Sequence, residues 1–178
     1  MARGRPTLSL LEAGLLFCVV ATVLAVFVPE FFERLRTNKL SEAPELLAEL
    51  QQRAESYYAT DWGDGRRHCL PPSAGPTPIE PSEDPVPVDF TAEDQEGGAS
   101  WEALGFAPTR PIRFSYRYTT TEHGCGLLGD GETATITLSA EGDLDGDSQR
   151  SRFERTAVLT ADGRMRPLGP LQVQQRIE

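Results

Sequence analysis

The chain has 178 residues and a formal net charge of −10 at pH 7, with 17 Lys and Arg against 27 Asp and Glu. That balance, with a pI near 4.7, excludes nucleic acid and anionic lipid as partners of the polar part, since neutralising phosphates requires surplus cations. The 14 prolines and 16 glycines favour irregular connections around a modest sheet, and the length suffices for one ordinary globular domain beside an apolar segment.

Residues 1–7, MARGRPT, form a short leader whose only charges are Arg3 and Arg5. Residues 8–28 follow as LSLLEAGLLFCVVATVLAVFV, a run with a single carboxylate, Glu12. As a helix these 21 residues extend roughly 31 Å, close to the ~30 Å hydrocarbon layer of a bilayer, so the expectation is a transmembrane helix. The flanking charges do not orient it; the acidic bulk and the cysteine usage favour the N-terminus inside and the C-terminal domain outside. Signal cleavage after Ala25 competes with this reading, but the apolar run continues past that point. Lipid attachment at Cys18 fails because bulky Phe17 precedes it.

The helical pattern continues over residues 29–60. Apolar or small side chains recur at Phe31, Phe32, Leu35, Leu40, Ala43, Leu46, Leu47, Leu50, Ala54, Tyr57 and Tyr58. Those steps of three and four mark one face of a helix. Glu33, Arg34, Arg36, Lys39, Glu42, Glu45, Glu49 and Arg53 occupy the rest. The spacing predicts one helix of about 50 residues, roughly 80 Å long, bent where Pro29 and Pro44 remove backbone hydrogen bonds.

Residues 61–111 read as a loop region. Seven prolines between Cys69 and Phe90 predict extended chain without a regular element. Ser100 is placed as the N-cap of a short helix that docks Trp101, Leu104 and Phe106 on the core. Residues 112–178 read as an antiparallel sheet. Alternation is clear in Ile112, Phe114, Tyr116 and Tyr118, in Ala134, Ile136, Leu138 and Ala140, and in residues 153–160. Asp162-Gly163 is a hairpin signal, and a fourth strand is expected around Leu171, Val173 and Ile177.

Cys69 and Cys125 are the only cysteines of the polar part. Outside the cytoplasm a disulfide between them would tie the proline-rich loop to the loop after the first strand; two free thiols, or a zinc site with His68 and His123, are the alternatives. The zinc spacing is poor. Asp143, Asp145 and Asp147, with Glu154 at the twelfth place, partly match a calcium loop, although Ser148 stands where the tight turn wants glycine. A solvated turn without any cofactor is the plainer reading. No nucleophile elbow, phosphate-binding loop or His-Glu-x-x-His is present, so an enzyme is not expected.

A basic leader, an apolar helix with one early glutamate, and a proline seventeen residues after it resemble a type IV pilin or pseudopilin. The segments 41–59, Trp101-Glu102-Ala103-Leu104-Gly105-Phe106 and Gly142-Asp143-Leu144-Asp145-Gly146-Asp147 are similar to that family as well. The resemblance implies an α+β fold in which a long N-terminal helix, transmembrane in its first half and amphipathic in its second, packs on a small antiparallel sheet. It implies a structural subunit of a pilus or secretion pseudopilus that polymerises through its apolar helix. Its partners would be other pilin subunits, the inner-membrane assembly machinery and a leader peptidase. The subunit would be held in the inner membrane by a single pass, its C-terminal domain extracytoplasmic, before entering a surface or periplasmic filament. Glu12 and Pro29 would be assembly residues. An isolated carboxylate in hydrocarbon is costly, and the freed N-terminal amine of a neighbour would be its partner. One departure stands out: Thr7, before Leu8, occupies the place of the glycine that precedes the cleaved bond. The alternative is a monomeric, single-span, membrane-anchored extracytoplasmic binding domain.

Overall fold

The structure, a computed structural model, describes residues 10–63, 67–93, 95–126, 128–129 and 131–174, with side chains for all of these except 10–13 and 29–38. The chain divides into two compact units, Met1–Leu40 and Ser41–Glu178.

The first unit contains α1, Leu10–Leu40. The second begins with α2, Glu42–Ala59. The expected single helix is therefore two helices, separated at Ser41. Pro44 explains the division. Within a continuous helix it could not donate to the Leu40 carbonyl, and its ring would clash there. As the third residue of a new helix its missing N–H costs nothing, because first-turn donors have no partner in any case.

The expected transmembrane half, and the single-pass inner-membrane placement with an extracytoplasmic C-terminal domain, are overturned. Among the described residues no helix is long and apolar enough to cross a membrane. The described side chains of α1's apolar run extend from Gly14 to Val28. The α+β description stands corrected to helices with a small antiparallel sheet, with no membrane-crossing helix among the described residues.

The second unit is built on six strands: β1 Ala74–Thr77, β2 Ser115–Thr120, β3 Thr133–Gly142, β4 Ser151–Thr160, β5 Met165–Pro167 and β6 Gln172–Gln174. The order is β1-β2-β3-β4-β5, and β6 pairs with another stretch of β4. β3 and β4 pair over ten residues, from Thr133↔Thr160 to Gly142↔Ser151. The short helix α3, Gly98–Leu104, precedes β2.

The alternating runs do what period two requires. Ala134, Ile136, Leu138 and Ala140 of β3, and Phe153, Ala157 and Leu159 of β4, are buried. They meet the stripe Ala43, Leu46, Leu47, Leu50, Ala54 and Tyr58 of α2. Arg155 interrupts the apolar row of β4 and reaches Gln51 of α2 through a 3.4 Å hydrogen bond. Beside this core Phe90, Trp101, Phe106 and Tyr116 form an aromatic cluster, with Phe90 edge-on to both Trp101 and Phe106. Asp162-Gly163 makes the expected turn, closed by Thr160 N–H to the Arg164 carbonyl at 3.0 Å.

Two local expectations are corrected. The proline-rich segment does contain a strand, β1, which pairs only with β2. At an edge the missing N–H of Pro76 breaks no ladder. Gly75 is required there: its φ is +85°, and a Cβ would stand 2.4 Å from the Tyr116 carbonyl oxygen. The short helix starts at Gly98 with left-handed Gly97 as its N-cap, and Ser100 lies buried inside it without capping.

Candidate functional site

The candidate assembly element is α1. Leu and Ala are good helix formers and no proline interrupts the stretch before Pro29, and every described side chain from Gly14 to Val28 is exposed. Leu15 is 70 %, Phe17 74 % and Phe27 63 % accessible. The stretch from Gly14 to Val28 is apolar on all sides, which fits an element surrounded by other apolar groups. Thr7 and Leu8 lie outside the described residues. Glu12 and Pro29 lie on the α1 backbone, but their side chains are outside the described ones. Cys18, in the same helix, is a free and exposed thiol.

The disulfide is present: Cys69 and Cys125 are bonded, 56 residues apart in sequence. The chain positions the two thiols with a small antiparallel bridge in which Leu70 and Gly124 exchange two 2.8 Å hydrogen bonds. This bond leaves no thiolate for the zinc alternative. His68 instead packs its ring on Tyr58, 5.2 Å between centroids, with Nδ1 3.3 Å from the Tyr58 carbonyl.

Asp143, Asp145 and Asp147 converge, their ligand oxygens all within 4.8 Å of one another. Each is engaged by the loop's own backbone. Asp143 accepts from the Gly146 and Ser148 N–H groups, Asp145 from Asp147, and Asp147 from Gln149. Glu154 does not join them. It lies on β4 and holds Arg152 at 2.8 Å. Short-range turn chemistry accounts for the three aspartates.

Glu42, expected among the charges off the apolar face of the helix, has a specific role instead. Glu42 is buried, and its Oε1 accepts from the Arg113 N–H at 2.8 Å, the Phe114 N–H at 3.2 Å and the Tyr116 hydroxyl at 3.3 Å. The Arg113 guanidinium stands 3.7 Å from its other oxygen. Burial, followed by the Glu42 charge, holds the Tyr116 phenol far above its ordinary range. Glu42 thus clasps the start of α2 to the chain entering β2, using backbone donors just outside the regular strand. The signal was available: Glu42, Leu46 and Leu50 follow at steps of four, so the carboxylate shares their buried stripe.

Comparison with protein-family models, curated proteins and solved structures finds no match to this chain.

Proposed function

We propose that the chain is a structural subunit that polymerises through its N-terminal apolar helix, as its resemblance to type IV pilins and pseudopilins implies. The supporting observation is the exposure of the whole described apolar stretch of α1, from Gly14 to Val28. Covering one leucine or phenylalanine is worth ~1.5–3 kcal/mol, and large exposed apolar surfaces mark interaction sites. The same helix of neighbouring subunits offers matching chemistry on every side. In this reading Glu12 meets the N-terminal amine of a neighbour, and Pro29 helps set how helices fit past one another. The partners are further copies or related pilin subunits, a machinery that adds them, and a peptidase acting near Thr7 and Leu8. The protein works as a building unit, not as a catalyst, and requires no cofactor.

The test uses the full chain, purified in detergent that is then removed. Negative-stain microscopy is expected to show filaments for the wild type and none for Phe17→Glu, whose charge would be buried among helices. Glu12→Ala is expected to give far fewer filaments. A wild-type chain that stays dispersed, or assembles equally well with Phe17→Glu, overturns the reading.

A further inference from the structure

A groove of about 600 Å³ runs along α2 beside α3. One helical face lines it with Glu49, Gln52, Arg53, Ser56 and Tyr57, and Ala103 and Leu104 of α3 complete the lining together with Thr60 and Trp62. Beyond the end of α2 stands Trp62, 42 % exposed. Its ring is 4.9 Å from that of Tyr57, tilted by 52°. The two rings form an aromatic corner open to the groove, whereas Trp101 is fully buried in the core.

The chemistry of the walls limits what fits. Arg53 and Glu49 are paired at 3.0 Å, so their charges cancel, and an ionic ligand would have to break that pair. Gln52 and Ser56 present uncharged donors and acceptors on the same face. Apolar lining beyond the two rings is confined to Ala103 and Leu104, too little to hold a lipid or an amphipathic helix. An aromatic surface bordered by neutral hydrogen-bonding groups suits a ligand with an apolar face and a hydroxylated rim. We propose that this groove binds a neutral saccharide, with the C–H face of a pyranose ring against Trp62 and Tyr57 and its hydroxyls on Gln52 and Ser56. A few convergent polar groups around an apolar contact are the usual composition of small-molecule sites. The site does not depend on polymerisation, since all of it lies in the second unit.

Saturation-transfer NMR and titration calorimetry on the full chain test the proposal, with cellobiose, maltose, lactose and N,N′-diacetylchitobiose as probes and sialyllactose as the charged control. Transfer to ring C–H protons is expected for at least one neutral probe. Trp62→Ala is expected to weaken that probe at least about tenfold, the factor equivalent to ~1.4 kcal/mol, and Trp62→Phe to retain most of the affinity. Circular dichroism and the intact disulfide establish that each variant is folded. The proposal is overturned if no neutral probe binds, if only sialyllactose binds, or if Trp62→Ala binds as the wild type does.

Discussion

Replacing Glu42 by alanine removes one side chain and leaves three donors facing a void. The Arg113 N–H, the Phe114 N–H and the Tyr116 hydroxyl all point at one carboxylate oxygen, in a site where Glu42 is only 7 % exposed. A hydrogen bond to a charged group is worth ~1.5–3 kcal/mol, and each unsatisfied buried donor costs ~1–3 kcal/mol. The relief of no longer burying a carboxylate offsets part of this. The net expectation is a loss of about 3 kcal/mol, at the lower end of what removing one partner of a buried charged group costs. For a domain of this size that lowers Tm by roughly 10–15 °C. Glu42→Gln keeps an oxygen at the same place and gives up the charge, so about half the loss is expected. Urea unfolding of the full chain in mild detergent, followed by tryptophan fluorescence, measures both variants. An alanine variant within about 0.5 kcal/mol of the wild type would refute the clasp, as would equal losses for the two substitutions, since only the glutamine retains an acceptor.

Three further outcomes are expected. In unreduced, unfolded protein only Cys18 should react with a thiol reagent, and opening the Cys69–Cys125 bond, which spans 56 residues, should lower stability by about 4 kcal/mol in a chain-entropy estimate. Tyr58, Tyr116 and Tyr118 all titrate above the ordinary 10.0, each chiefly because of burial. The folded state therefore holds protons that the unfolded chain releases above that pH, and stability, full below it, should fall as the solution is made more alkaline; urea midpoints between about pH 8 and 11 check the sign. Gly163→Ala should destabilise by more than ~1 kcal/mol, because the residue has φ +80° and an added Cβ would stand 2.3 Å from the His68 ring, beyond the ordinary cost of alanine at positive φ; thermal melts decide it.

The parts of the fold that were legible are those where a short period repeats. Ala134 to Ala140 alternates cleanly because one face of β3 is buried and the other is not, and α2 shows its stripe for the same reason. β1 was hidden because propensity counts Pro76 and Pro78 against a strand, while pairing at an edge tolerates them. Ser100 looked like a cap, but left-handed Gly97 began the turn earlier. Glu42 was hidden by its type: a carboxylate is ordinarily solvated, and only partners 71 to 74 residues away in sequence make its burial acceptable. Hydropathy alone suggests a membrane span in residues 8–28, whereas among the described residues no helix is long and apolar enough to cross a membrane. Of the candidate site residues, Asp143, Asp145 and Asp147 come together because they share one turn. Glu154, seven residues beyond, is carried away by β4 into a pair with Arg152.

The position of α2 in the chain has a consequence for the ribosome. Its apolar stripe closes against β3 and β4, and β3 begins only at Thr133, some 74 residues after Ala59. At ~5–20 residues per second, α2 waits on the order of 4–15 s for its cover while the chain is being made. Throughout that interval the nascent chain carries the apolar stretch of α1 and the apolar stripe of α2, with the sheet that will cover the second still unmade. Synthesis of this protein therefore places a sustained demand on whatever shields hydrophobic segments at the exit tunnel, and slowing translation before Thr133 would lengthen that demand in direct proportion.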